Sequence, residues 1–332
     1  GKAALVMANS ASDARHSEAD IRKTLIENNL IYAMLTLPPN MFYTVTLPAT
    51  LWFFDKAKQD DRILFIDARN IFTEIDRAHR AFSEAQIQNI SVISRLHKGR
   101  RDEFTKLVNK YFEEGFKNLS DNRPILIQVA HNVNDFLKPF NGSDLPDFDK
   151  TLGSIEKLAA SYKNYIKDIS LEGIDFVNTK QHELNNTVQP FFITLHALLK
   201  EIDKKVRHVE KEQSSNKNVK ALKDELEDLH KKIKETEYYF TQISWLQKRF
   251  PEAKYEDVIG LCKLANLDEV KEQEYSLNSG RYVGVVIEED GKTEEEFIEE
   301  MIAMNNELSK LNSSAYELET VINSNIKQIV GE

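Results

Sequence analysis

The chain has 332 residues, 41% hydrophobic and 30% charged, with a formal net charge of −10. That length supports two or three domains and a sizeable core, and the composition is that of a folded, helix-rich globular protein. The acidic balance excludes a surface that binds nucleic acid throughout, no apolar run has bilayer length, and the single Cys262 excludes an internal disulfide and fits a reducing cytoplasm.

Residues 3–8 are an uninterrupted apolar run, the pattern of a strand buried on both faces with sheet neighbours on both sides. Such a strand at the opening of the chain is expected to belong to a domain that begins further upstream. Left open, its edge would favour association. Ser17 with Asp20 three positions on predicts a capped helix start, with Ile21, Leu25 and Ile26 on one side. Strands are predicted over 30–37, 49–54 and 63–66, and strand, helix, strand at this spacing indicates a parallel or mixed α/β sheet. Between the second and third strands, Leu37-Pro38-Pro39-Asn40-Met41-Phe42-Tyr43 is a stiff loop that presents two aromatic rings.

From about residue 70 the pattern turns helical. Asp76-Arg77-Ala78-His79-Arg80 reads as a charged helix entry rather than an acid–base pair. Ser83 leads a helix over 83–96. Phe104, Leu107, Val108, Tyr111 and Phe112 mark the next, and Pro124 suits the first position of another. A loop over 139–149 precedes Leu152, Ile155, Ala159, Tyr162, Ile166 and Ile169. The basic islands 97–101 and 204–208 read as solvated helix ends or faces.

Two heptad seams follow. Val188, Phe192, Leu195, Leu199, Ile202, Val206 and Val209 form the first, with Pro190 near its start. Val219, Leu222, Leu226, Leu229, Ile233, Thr236, Phe240 and Ile243 form the second. Joined by the polar stretch 211–218, they predict an antiparallel coiled-coil hairpin over about 186–246. A last helix over about 292–330 carries Phe297, Met301, Met304, Leu308, Leu311, Ala315, Leu318, Ile322, Asn325 and Ile329. Its narrow apolar stripe needs a partner helix.

Several segments carry a family resemblance. They are Ala4-Leu5-Val6-Met7-Ala8-Asn9-Ser10, Glu18-Ala19-Asp20-Ile21-Arg22-Lys23, and the Leu-Pro-x-x-x-Phe-Tyr run with Pro48 and Trp52. Ile66-Asp67-Ala68-Arg69 and Asp76-Arg77 continue the pattern. It resumes at Tyr255-Glu256-Asp257-Val258-Ile259-Gly260-Leu261-Cys262-Lys263 and at Tyr275-Ser276-Leu277-Asn278-Ser279-Gly280-Arg281-Tyr282-Val283-Gly284. Together they resemble the late part of the catalytic domain of adenine-specific DNA methyltransferases, specifically the modification (M) subunit of type I restriction-modification systems. The resemblance covers roughly residues 1–98 and 250–332, and departs from the family at Ser279, where proline is usual.

The resemblance implies α/β plus all-α architecture in three parts. Residues 1–98 would be the C-terminal part of a Rossmann-like methyltransferase sheet, 99–249 a helical insertion with the hairpin, and 250–332 a subunit-docking region. It implies S-adenosylmethionine as cofactor of the complete enzyme. The implied partners are double-stranded DNA, a specificity (S) subunit, a second M subunit and a restriction (R) subunit. Phe42, with Tyr43 as runner-up, is the implied ring that stacks on an extruded base; the alternative is that Phe42 packs under the sheet. Phe297, Met301, Met304, Leu308, Leu311, Leu318 and Ile322 are the implied contact with the specificity subunit, against packing within the chain.

Two motifs of that chemistry are not found. The 11 glycines make no Gly-rich turn for a methyl donor, and Pro38-Pro39 lies between Leu37 and Asn40 rather than in an Asn/Asp-Pro-Pro-aromatic sequence. The chain alone is therefore expected to bind no donor and to be inactive. The eight histidines lack metal-ligand spacing, and Ser10, Ser12, Asp13 and His16 lack a nucleophile elbow. The competing functional reading is a non-catalytic helical module for subunit docking and DNA clamping.

Overall fold

Strands β1 (Lys2–Ala8), β2 (Ile31–Thr36), β3 (Ala49–Asp55), β4 (Ile63–Asp67) and β7 (Cys262–Ala265) form one mixed sheet in the order β1-β3-β2-β4-β7. β5 (Thr73–Glu74) and β6 (Arg80–Ala81) make a separate two-stranded hairpin. This computed structural model describes residues 1–44, 46–141, 146–170, 172–212, 217–285 and 294–330. The chain divides into two units, Gly1–Gly284 and Val285–Glu332.

β2 and β4 are parallel, while β3 runs antiparallel to both β1 and β2. β1, β2 and β4 therefore point the same way and end at one edge. The expectation for β1 is corrected here. Among the described residues it pairs with β3 alone, all seven of its residues are exposed, and Leu5 and Val6 keep 51% and 57% of their surface. An apolar run records what neighbours a strand suits; sheet topology decides which neighbours it has.

One sheet face buries Ala33, Leu35, Leu64 and Ile66 against helices α2 (Glu84–His97) and α3 (Arg101–Asn141). The other buries Ile31, Met34, Trp52, Ile63 and Phe65 beneath α1 (Ser17–Glu27), α7 (Leu267–Glu272) and α8 (Gly280–Val283). There the rings of Phe65 and Tyr282 stack at 3.8 Å.

α1 starts differently from the expected capping box. Its cap is His16, at φ 60° and with no side-chain bond, and Ile21 is exposed. Ile26 is buried as expected, and so is Arg22, which donates to the carbonyls of Tyr275 (2.8 Å), Ala14 (2.9 Å) and Ala11 (3.2 Å). A guanidinium accepts burial only with such partners, and these three belong to loops that the local pattern cannot foresee.

α2 begins with the Ser83–Gln86 capping box. α3 runs unbroken through Pro124, which corrects its expected place at a helix start. The missing N–H and the ring clash disfavour an interior proline, but Leu119, Leu126 and Val129 bury the flanking turns in the core. α4 (Phe148–Asp168) follows, and residues 142–145 of the expected loop lie outside the described residues.

α5 (Ile174–Glu212) and α6 (Lys217–Arg249) carry the two seams, every member of which is buried. Residues 213–216 of their polar link lie outside the described residues. Asn185–Ser244, His196–Glu237 and Glu210–Lys223 pair in antiparallel order. α6 also lies along α3, through Asn122–Thr236 at 3.1 Å and Asn132–Glu225 at 2.7 Å. The seams thus feed a core shared by several helices. In the second unit, α9 (Glu294–Val330) is a single helix.

Candidate functional site

In an open α/β sheet, ligands bind beyond the carboxyl ends of parallel strands. At that edge three elements meet: the turn after β1, the loop 37–48 after β2, and the distant segment 275–284.

The first and third lock together. Asp13 accepts hydrogen bonds from the Ser276 hydroxyl and from Asn278 Nδ2 (3.0 Å), and Arg281 Nε lies 3.5 Å away. Leu277 N–H donates to Ser12 O at 2.9 Å. Burial works against ionising Asp13, but the Ser276 and Asn278 hydrogen bonds, with the charges of Arg281 and Arg22, hold its carboxyl below the usual range. Thr36 Oγ1 lies 3.0 Å from Ser279 Oγ, so the departure from proline at 279 places a hydroxyl where it bonds a buried threonine. Arg69 grips Asp67 with two N–H groups, and a Cβ on Gly280 would lie 3.1 Å from Arg69 Nη2. These side chains are engaged with one another. The turn after β1 is a 3₁₀ helix, Asn9–Ser12, without glycine. A Rossmann-type cofactor turn uses glycine for the close approach of backbone to its ligand, and the turn after β1 supplies none.

The loop after β2 is open. Leu37 N–H donates to Ala49 O (2.9 Å) and Asn40, at φ 63°, donates to Thr46 O (3.3 Å), closing it into a projection; Val45 lies outside the described residues. Phe42 is 42% exposed and Tyr43 is 89% exposed. The β5–β6 hairpin braces this projection, since Arg80 N–H donates to Asn40 O at 2.9 Å. The Tyr43 and His79 rings stand 4.8 Å apart.

That hairpin corrects the expected helix entry at 76–80. Asp76 Oδ1 accepts from the backbone N–H groups of Ala78 (2.7 Å) and His79 (2.9 Å), and His79 Nδ1 lies 2.8 Å from Asp76 Oδ2. A carboxylate that bonds its own backbone two and three residues on can open a helix or a turn; here Ile75 N–H donates to His79 O at 3.0 Å and the flanking residues pair as strands, which makes it a turn. The His79 hydrogen bond, ahead of the one from Ala78, holds the Asp76 carboxyl below its usual range. Arg80 also lies 3.8 Å over the Phe72 ring.

Structure thus joins Tyr43, next to Phe42 in the loop, to His79 and through it to Asp76, which sequence reasoning had set aside. The Asp-x-Ala-His spacing was the available signal. Nothing local points to Asp13, Ser276 and Asn278, which meet across more than 260 residues. On α9, Met301, Met304, Leu308, Leu311, Leu318 and Ile322 are exposed, and the Phe297 side chain lies outside the described residues. Among the described residues no His, Cys, Asp or Glu group is arranged to hold a metal ion.

A mixed sheet with helices packed on both faces and loops at the carboxyl ends of its parallel strands is an α/β architecture. The chain belongs to the N-6 DNA methylase family, whose model matches residues 1–116 and 194–291. It is 42% identical over 106 residues to the type I restriction enzyme MjaIX methylase subunit of Methanocaldococcus jannaschii, covering 31% of this chain and 19% of that protein. It is 39% identical over 93 residues to the type I restriction enzyme HindI methylase subunit of Haemophilus influenzae, covering 27% and 21%. A solved type I restriction-modification methyltransferase subunit from Streptococcus thermophilus is similar at 27% identity and a TM-score of 0.27, over 27% of this chain and 19% of that one. The aligned part of the chain spans about a fifth of each of these relatives.

Proposed function

We propose that this chain is part of the modification subunit of a type I restriction-modification system. The complete, assembled enzyme would methylate the amino group of adenine in double-stranded DNA. S-Adenosylmethionine supplies the methyl group when bound, and the turn after β1 lacks the glycine of a cofactor turn. The donor-binding turn and the amine-holding motif are assigned to sheet strands that pair with the free edge of β1, where Leu5, Val6 and Met7 stand exposed. In the three-part reading, 1–98 and 250–332 serve catalysis and docking, and 99–249 is an insertion.

The observation that carries this reading is the braced loop at the carboxyl ends of β2 and β4, with Phe42 and Tyr43 displayed at its tip. A methyltransferase that acts on a base must extrude it and hold it, commonly against an aromatic face. Phe42 is assigned the base, and such stacking is worth roughly 1–3 kcal/mol. The exposed row from Met301 to Ile322 on α9 supports docking to a specificity subunit, with a second modification subunit and a restriction subunit completing the assembly. That row equally supports the second reading, a non-catalytic module for assembly and DNA clamping. A cytoplasmic site accords with this function, and among the described residues no helix is long and apolar enough to cross a membrane.

Titration calorimetry of the chain with S-adenosylmethionine tests the assignment of the donor site. No binding heat is expected. A clear micromolar affinity would show that this polypeptide builds a donor site by itself and would overturn the assignment.

A further inference from the structure

The loop and its bracing hairpin form a rim with more aromatic and planar surface than one stacking contact requires. Tyr43 stands almost free of the protein, while Phe42, one residue earlier, is less exposed. Leu47 in the same loop and Ile75 in the hairpin are exposed as well. Behind Tyr43, His79 presents a second ring at 4.8 Å, tilted by 47°. Asp76 holds that imidazole through Nδ1 and holds the turn through two backbone N–H groups. A second planar pair, Arg80 over Phe72, sits in the same hairpin. Exposed rings and a guanidinium lying over a ring on a projecting rim suit bases, which offer flat faces whatever their sequence.

Extruding a base leaves a gap in the duplex, and the bases on either side lose their stacking. A ring that enters the gap offsets that loss. We propose that the two aromatic residues have different tasks: Phe42 takes the face of the extruded base, and Tyr43, backed by His79, enters the place the base vacates. Asp76 and His79 are positioning residues that keep the Tyr43 ring standing out from the loop. This inference rests on the methyltransferase reading of the site and adds the duplex gap as a second ligand of the same rim.

Fluorescence anisotropy with the assembled enzyme separates the two tasks. The probes are a duplex carrying the specificity subunit's site intact and one with an abasic residue in place of the target adenine. The abasic duplex has no base for Phe42 to stack on, but its gap still needs filling. Tyr43→Ala should weaken binding to the abasic duplex about tenfold, in the range of one lost stacking contact. Phe42→Ala should leave that binding unchanged while weakening binding to the intact site. His79→Ala should follow Tyr43→Ala, the double variant should lose no more than either single one, and His79→Phe should restore most of the loss.

Unchanged abasic binding by Tyr43→Ala and His79→Ala, with Phe42→Ala still impaired on the intact site, would overturn the gap-filling role and leave the base-stacking role standing. Wild-type behaviour of all three on both duplexes would remove the base-stacking role as well. Loss of the specificity subunit from the Tyr43→Ala or His79→Ala enzyme in sedimentation velocity would mean that the rim contacts protein, which also overturns the proposal.

Discussion

Gly115 sits inside α3 against Phe240 of α6, and replacing it with alanine sets two effects of similar size against each other. Glycine in a helix interior is about 1 kcal/mol less favourable than alanine, so propensity alone predicts stabilisation. The added Cβ would lie 2.8 Å from two carbons of the Phe240 ring. Carbon atoms sit comfortably at about 3.5–4.0 Å, so the ring must retreat by roughly 0.7 Å or more. It has little room: Phe240 is fully buried, with the rings of Phe116, Phe192 and Phe112 at 5.3, 5.4 and 6.3 Å. Overpacking of a filled core costs about 1–3 kcal/mol. The steric term wins, and Gly115→Ala should destabilise the chain by about 1 kcal/mol. Urea unfolding should show a lower midpoint at unchanged slope. Gly115→Ala placed on a Phe240→Leu background should lose its penalty and regain the propensity benefit. Stabilisation by the single substitution would refute the reasoning, because it would mean that the aromatic cluster yields without strain.

Two further outcomes follow from Asp13 and Cys262. Asp13 has a folded-state pKa below its unfolded value, so its contribution to stability is fully present above about pH 4 and is lost as pH falls through the folded value. Asp13→Asn should lower stability at neutral pH and flatten the acid limb of a stability–pH profile; an acid limb identical to wild type would mean that the Ser276 and Asn278 bonds do not depend on the charge. Cys262, buried in β7, has its thiol pushed up to about 11 by burial. It should resist disulfide reagents near pH 8, where an ordinary thiol reacts, and react fully in denaturant. Rapid labelling of the native chain would show that β7 does not stay seated against β4.

Much of the helical region was legible because its signal is periodic. A seam such as Val188 to Val209 repeats every three or four residues, and each member is buried whichever partner helix it meets. The Ser83 cap and the stiff aromatic loop were legible for the same reason, since their chemistry lies within a few residues. The hairpin at 73–81 was not. An aspartate followed by charged residues looks alike at a helix entry and in a turn until Ile75 N–H is seen donating to His79 O and the flanking strands pairing.

Local order alone determined strands β1 to β4, the buried seams of α5 and α6 and the projecting rings at 42 and 43, because neighbouring residues set backbone preference and amphipathic period. Tertiary structure decided which strands became neighbours: it left β1 exposed at an edge, brought β7 to β4 across roughly 200 residues, and set Ser276 and Asn278 on Asp13. Those pairings depend on closing long loops and satisfying buried polar groups all at once, and no window of sequence holds that information.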